Sequence, residues 1–222
     1  ARSTTTSSPS GRGARAPAGE DGVVYLWDAQ TGNLVRQFGQ EGGAGISSFA
    51  ISPDGDLLVS AGFRGPLSIW DLHSGALRTT AEPVDRIHSI SFSPDGRTIL
   101  GLQYNGEGGW LWDATTGQLL YTFDEQSSNS PVFSPDGKVL AIFGGVFTAR
   151  YVQIIDAHTG TRLRPLQDDS IWSIGFCAIS PDSRSIACEV NGGVILLWEL
   201  ETGVLLRAFV GHTGGVTYLD YS

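Results

Sequence analysis

The chain has 222 residues with 41% apolar content, ordinary for a globular protein, and a formal net charge of −9 from 14 basic and 23 acidic residues. That balance argues against a nucleic-acid partner, because phosphate binding calls for clustered Lys and Arg. Its apolar runs, such as residues 194–198, fall far short of the ~20 residues of a membrane-spanning helix.

Residues 1–20, "ARSTTTSSPSGRGARAPAGE", carry no apolar side chain larger than Ala. Such a segment buries too little surface to offset its ordering entropy and reads as a disordered Ser/Thr/Gly/Pro-rich linker. Arg2, Arg12 and Arg15 against the single acid Glu20 raise a transit peptide as the alternative, which the missing amphipathic pattern disfavours. The absence of Met, including at position 1, suggests a piece of a longer chain or a processed form.

From residue 21 a string recurs: "YLWDAQTG", "SIWDLHSG", "WLWDATTG", "QIIDAHTG" and "LLWELETG". Its acids, Asp28, Asp71, Asp113, Asp156 and Glu199, stand 43, 42, 43 and 43 residues apart. A fixed period of this length marks a repeat architecture whose units stack. Each unit reads as four short strands rich in β-branched and aromatic residues, for example 86–92, 97–104, 109–113 and 118–123, with no sustained helical period. The chain enters at a third strand, 22–27, and a fourth, 34–38, passes through four complete units and ends in a first strand, 216–221. The fold class is all-β.

Two turns punctuate every unit. "SPDG" stands at 52–55, 93–96 and 134–137, with "SPDS" at 180–183. Pro fixes φ near −65°, the Asp (Asp54, Asp95, Asp136, Asp182) follows it, Gly accepts a positive φ, and the Ser hydroxyl caps the turn, so this is a hairpin connector. Ser183 replaces Gly in the fourth copy, which predicts a strained or differently shaped turn. In the second string, the carboxylates of Asp28, Asp71, Asp113 and Asp156 are placed to accept amides of the turn that follows, as turn locks rather than catalytic acids. The preceding Trp27, Trp70, Trp112 and Trp198, with Ile155 in their place once, read as large wedges between layers.

Trp-Asp pairs at this period, with a Gly211-His212 pair before a strand, resemble the WD-repeat (WD40) β-propeller family over residues 21–222. The resemblance implies four-stranded antiparallel blades, about 4.5 to 5 of them here. It also implies a hydrogen-bonded set of His, Ser or Thr, Asp and Trp in each blade. Only His212 fits the histidine and only Asp21 the acid, with Asn105 and Asn191 standing near its place in other units. Such rings commonly close by pairing strands from the two chain ends. A first strand meeting a third and fourth leaves a one-strand gap, so the expectation is an open arc cut from a larger ring; His212, Asp21 and Trp27 would complete most of the set if the ends met.

The sequence offers little chemistry. No phosphate-cradle string with its lysine is present. Cys177 and Cys188 are too few for a disulfide-stapled scaffold, which suggests a reducing, cytoplasmic location. They lie on paired strands of one hairpin and are read as two core thiols in preference to a cross-strand disulfide. His73 and His158 occupy equivalent turns two units apart, too far for shared metal ligation. No metal, cofactor or catalytic residue is expected. The loops between units, "GQEGGAG", "AEPVDR", "DEQSSN" and "QDDS", gather on one face of such a ring. They bring Glu41, Glu82, Asp85, Asp124, Glu125, Asp168 and Asp169 to one rim, with Trp172 beside it as an aromatic anchor or core residue. Charged loops are common surface filler, but an acidic rim also steers a basic peptide, protein or domain of the same parent chain. The reading is a non-enzymatic protein-interaction scaffold. Its alternatives are a sensor or autoinhibitory domain of a kinase or NTPase, and a propeller enzyme with a channel site.

Overall fold

The computed structural model describes residues 14–15, 21–39, 45–62, 64–85, 87–103, 108–123, 131–143 and 151–221, with the side chains at 14, 15, 64 and 82–85 outside that description. The described residues are all-β. Blade one comprises β1 (Ala14–Arg15), β2 (Val23–Asp28) and β3 (Leu34–Gly39), and blade two β4 (Ile46–Ile51), β5 (Leu57–Gly62), β6 (Arg64–Asp71) and β7 (Leu77–Asp85). Blade three has β8 (Ile87–Phe92), β9 (Thr98–Gln103), β10 (Gly109–Asp113) and β11 (Leu119–Phe123). Blade four has β12 (Val132–Phe133), β13 (Val139–Ile142), β14 (Tyr151–Asp156) and β15 (Arg162–Gln167), and blade five β16 (Ile174–Ile179), β17 (Ser185–Val190), β18 (Val194–Glu199) and β19 (Leu205–Val210).

Each sheet is a meander in which sequence neighbours pair. In blade one, Ala14 and Arg15 pair with Asp28 and Trp27, the place Leu57 and Leu58 hold beside Asp71 and Trp70 in blade two. The second strands of blades two to five are mostly buried on both faces, and β5 reads as one continuous buried run.

The core lies between the blades. Val24, Leu26 and Phe38 of blade one pack on Leu58 of blade two. Val59, Ala61, Leu67 and Ile69 meet Ile87, Ile99 and Trp112. Leu100, Leu111 and Phe123 meet Leu140 and Ile155, and Ala141, Ile154 and Leu166 meet Ile174, Ile186 and Trp198. Polar links cross the same boundaries. The Ser48 hydroxyl accepts the Ile90 amide at 3.1 Å, Thr98 donates to the Ala157 carbonyl at 3.0 Å, and His158 Nε2 lies 2.7 Å from Asp95 Oδ2.

A ridge repeats at the outer edge, where the turn closing the third strand of one blade rests on the outer strand of the blade before. A β-carbon added at Gly75 would stand 2.8 Å from Arg36 Cδ, one at Gly117 3.2 Å from Thr79 Cγ2, and one at Gly203 2.8 Å from Arg164 Cδ. At Gly160 the neighbour is the Leu120 carbonyl, closer than any β-carbon tolerates. Arg36 Nη1 also donates to the Ser74 carbonyl at 2.6 Å.

One expectation is narrowed and two are corrected. Ser183 takes φ 59° where its glycine counterparts, such as Gly96 at 74°, take similar values. Its amide also donates to Ser180 O at 2.8 Å, as that of Gly96 does to Ser93 O at 2.9 Å. The turn therefore keeps its shape, and the cost is the left-handed conformation of a residue with a β-carbon, about 1 kcal/mol; its hydroxyl meets the Asp136 amide at 3.1 Å. Cys177 and Cys188 form a disulfide rather than two core thiols. Beyond a register shift after Ile174 they stand directly opposite each other in the β16–β17 ladder, at a Cα–Cα separation of 4.1 Å, the close spacing of a non-hydrogen-bonded antiparallel pair. The bonded pair removes the sequence ground for a reducing compartment. Finally, residues 216–221 form no strand, because no neighbouring strand among the described residues offers them a ladder. They still run beside blade five, where the Tyr221 and Ser185 hydroxyls are 3.2 Å apart.

The ridge separates two otherwise similar glycines. Gly32 (φ 72°) has nothing within 4 Å of an added β-carbon among the described residues, whereas Gly160 (φ 69°) faces backbone. In thermal or urea melts, Gly32→Ala is expected to cost about 1 kcal/mol from φ alone. Gly160→Ala is expected to cost about 3 kcal/mol, because the neighbouring blade must move. Equal losses would contradict the stacking.

Candidate functional site

The repeated carboxylates are engaged by their own turns. Asp28 Oδ1 accepts the amides of Gln30 at 3.0 Å and Thr31 at 2.7 Å. Asp113 accepts those of Thr115 and Thr116 at 2.9 and 2.7 Å, and Asp156 those of His158 and Thr159 at 3.0 and 2.9 Å. Asp71 accepts the Ser74 amide at 2.7 Å and a two-pronged contact from Arg78. In the hairpins, the hydroxyls of Ser52, Ser93, Ser134 and Ser180 donate to Asp54, Asp95, Asp136 and Asp182 at 2.5 to 2.7 Å. The Arg78 guanidinium, ahead of the Ser74 amide, holds the Asp71 carboxyl far below the usual carboxylate range. The Ser52 and Ser180 hydroxyls lower those of Asp54 and Asp182. At Asp95, Asp113 and Asp136 burial is the largest single influence and pushes upward, but the hydrogen bonds together outweigh it.

Of the acidic loops, the structure places Asp168, Asp169 and Trp172 in one segment between β15 and β16. Asp124, Glu125 and Glu41 lie outside the described residues; Glu82 and Asp85 contribute backbone to β7, and their side chains lie outside the description. The 168–173 segment is a fixed loop. Asp168 Oδ1 accepts the Ser170 amide at 2.9 Å and the Ser170 hydroxyl. The hydroxyl first and the amide second lower the Asp168 carboxyl, keeping it anionic. Ile171 is buried in the core between blades four and five. Asn191, in the turn after β17, holds the far side: its Nδ2 donates to Ser170 O at 2.8 Å, and its Oδ1 accepts the amides of Trp172 at 2.9 Å and Ser173 at 3.4 Å. Its φ of 57° is one that Asn tolerates better than most residues. Trp172 is 56% exposed, an aromatic side chain presented to solvent on a pinned backbone and not a core residue.

Glu189 lies outside both repeated strings of the sequence. It is only 5% exposed, its Oε2 lies against Gly175, and its Oε1 has no hydrogen-bond partner. The signal was available by register, since Ala61, Leu102 and Phe143 stand at its place in the other second strands. The indole bond of the blade set survives in blade two, where Trp70 Nε1 donates to Ser60 Oγ at 3.0 Å. In blade five Cys188 stands at the position of Ser60, and Trp198 Nε1 is left without a partner. Asp21 accepts the Val23 amide at 3.2 Å and the Tyr25 hydroxyl at 3.1 Å, so it serves its own blade rather than His212. His73 and His158 sit on separate turns, each with its own Asp.

A family model described as "WD domain, G-beta repeat" matches residues 32–71. The chain is 30% identical over 216 residues to telomerase protein component 1 of Rattus norvegicus, covering 95% of this chain and 8% of that one. It is 26% identical to autophagy-related protein 16 of Arabidopsis thaliana, over 90% of this chain and 39% of the relative. It is 28% identical to an uncharacterized WD repeat-containing protein of Deinococcus radiodurans, over 84% and 80% of the two chains.

Two outcomes follow from the hydrogen bonds. Asn191→Gly keeps the left-handed backbone but removes the side chain, and each lost bond is worth about 1 kcal/mol. Amide exchange at Trp172 and Ser173 is expected to quicken about tenfold or more; unchanged exchange would show that Asn191 does not hold the loop. The lowered turn carboxyls stabilise the fold fully above their unfolded value of 3.8 and lose that contribution as pH falls through the folded values. The melting temperature is therefore expected to hold down to about pH 5 and to fall steadily below about pH 4, and a flat profile to pH 2 would contradict it.

Proposed function

The chain belongs to the WD-repeat family of β-propellers, and on that footing we propose that it is a non-enzymatic interaction scaffold whose acidic rim takes a basic segment of a partner protein. The observation that carries the proposal is Trp172, 56% exposed on a loop that Asn191 holds at both Ser170 and Trp172. A large apolar ring on an already ordered backbone loses little entropy on binding, which is the property of an interface anchor. Asp168, kept anionic by its hydroxyl and amide donors, and the neighbouring Asp169 add negative charge beside the ring. The unpartnered Glu189 Oε1, two residues before Asn191, offers a buried acceptor that a lysine or arginine would satisfy. The carboxylates at the repeated positions are occupied by their own turns, which suits a framework more than general acid–base chemistry.

The test is binding of lysine- and arginine-rich peptides, with acidic peptides of equal length as controls, by surface plasmon resonance from about 0.05 to about 0.5 M salt. Basic peptides are expected to bind and acidic ones not. Trp172→Ala should weaken binding by about 30-fold, the loss of a central aromatic anchor. Asp168→Lys with Asp169→Lys should slow association and flatten its salt dependence. Indifference to all three substitutions would remove the rim from consideration.

A further inference from the structure

Ser60, Gly101 and Cys188 hold one place in the second strands of blades two, three and five, and in each blade the Trp of the third strand stands opposite the residue two before it. In blade two Trp70 Nε1 donates to Ser60 Oγ at 3.0 Å. In blade three a β-carbon added at Gly101 would stand 2.7 Å from Trp112 Cζ3, so the indole again covers this place. Cys188 puts a sulfur there in blade five, but that sulfur is bonded across the ladder to Cys177. Trp198, 0% exposed, is left with no hydrogen-bond partner for its Nε1 among the described residues. All three side chains lie in the core that blades four and five close between them.

The bond also sits beside the Trp172 loop. In the β16–β17 ladder Ile174 stands opposite Val190 and Cys177 opposite Cys188, with the register shift between them. Gly175 and Phe176 therefore oppose Glu189 alone, a bulge that the disulfide fixes from one side. On its other side Asn191 follows Val190 and accepts the amides of Trp172 and Ser173.

We propose that the Cys177–Cys188 pair is a redox-sensitive latch on the Trp172 loop. Cys177 is 8% exposed and Cys188 0%, so a thiolate of a dithiol reductant attacks the Cys177 sulfur. The S–S bond breaks, and Cys188 leaves as a thiolate and takes a proton. The reductant's second thiolate then attacks its own sulfur in the mixed disulfide, Cys177 leaves and is protonated, and the reductant departs as a cyclic disulfide. Two electrons and two protons thus pass from the dithiol to the protein. Freed, the Cys188 sulfur turns to accept the Trp198 indole N–H, as the Ser60 oxygen accepts that of Trp70, and this keeps the core of the reduced blade in register. The bulge is then held by the ladder alone, and the loop it carries opens more readily. The latch is read without a partner, so its failure would leave the rim proposal standing.

Nuclear magnetic resonance of the full chain with and without dithiothreitol, with thiols titrated in parallel, tests this; Trp198→Phe identifies the Trp198 indole signal. Two thiols are expected to appear on reduction. The Trp198 indole proton should move downfield, toward its position in Cys177→Ala/Cys188→Ser protein, while that of Trp70 stays. Amide exchange at Trp172 and Ser173 should quicken about tenfold as the cross-link is lost. Cys177→Ala/Cys188→Ala protein, which lacks the acceptor, should show the quick loop exchange without the indole shift. An indole signal that stays put while two thiols are titrated would overturn the proposal, as would unchanged exchange in the loop. Loss of the native spectrum on reduction would show a structural staple instead, and the same indole shift in the double alanine protein would show that Cys188 is not the acceptor; either result would overturn it as well.

Discussion

A four-stranded sheet of this composition has two apolar faces, and neither can be left to water without losing the burial that holds the strands together. That constraint governs the molecule. The period of the sequence sets the size of a blade, but the blade becomes stable only when the next one closes over it, and the core is accordingly distributed between blades. The glycines of the outer turns follow from the same requirement. At Gly75, Gly160 and Gly203 a β-carbon would collide with the preceding blade, so the turn residue answers to stacking as well as to its own positive φ. The His158–Asp95 contact and the Thr98–Ala157 hydrogen bond tie blade three to blade four through the connecting turns.

The candidate site depends on that framework. Ile171 anchors the 168–173 loop in the core between blades four and five, and Asn191 ties it to the second strand of blade five. Trp172 is therefore exposed without being loosely held. Glu189 lies on the same second strand, at a position that is apolar in blades two, three and four. Its unpaired oxygen marks blade five as the place where the repeat gives up uniform packing. The disulfide adds to that individuality, since Cys188 takes the position from which Ser60 bonds the Trp70 indole in blade two.

Much of the architecture was legible from the sequence because it rests on local, repeated signals. The 43-residue spacing, the Ser-Pro-Asp-Gly hairpins and the alternation of short β-rich runs each act within a few residues, and the strands of blade three begin and end within one residue of their expected bounds. What was not legible depends on register and neighbours. The Cys177–Cys188 bond needed the pair to fall at a close position of the ladder, which a shift after Ile174 helps to set. Residues 216–221 have strand-like composition but no ladder partner among the described residues. Sequence alone does not separate an anchor from a core role for Trp172, a distinction that its exposure resolves. Ser183 shows that the turn tolerates a residue other than Gly when its hydroxyl gains a partner in the neighbouring blade.

The central claim is that coverage by the following blade sets the stability of each sheet. Native-state hydrogen exchange in dilute solution, resolved by strand, measures this directly. The account predicts slow exchange in β10 and β14, whose blades are enclosed on both sides, and exchange in β19 faster than in the outer strands β11 and β15, whose inward faces the next blade covers. Protection in β19 equal to that in β11 and β15 would contradict it.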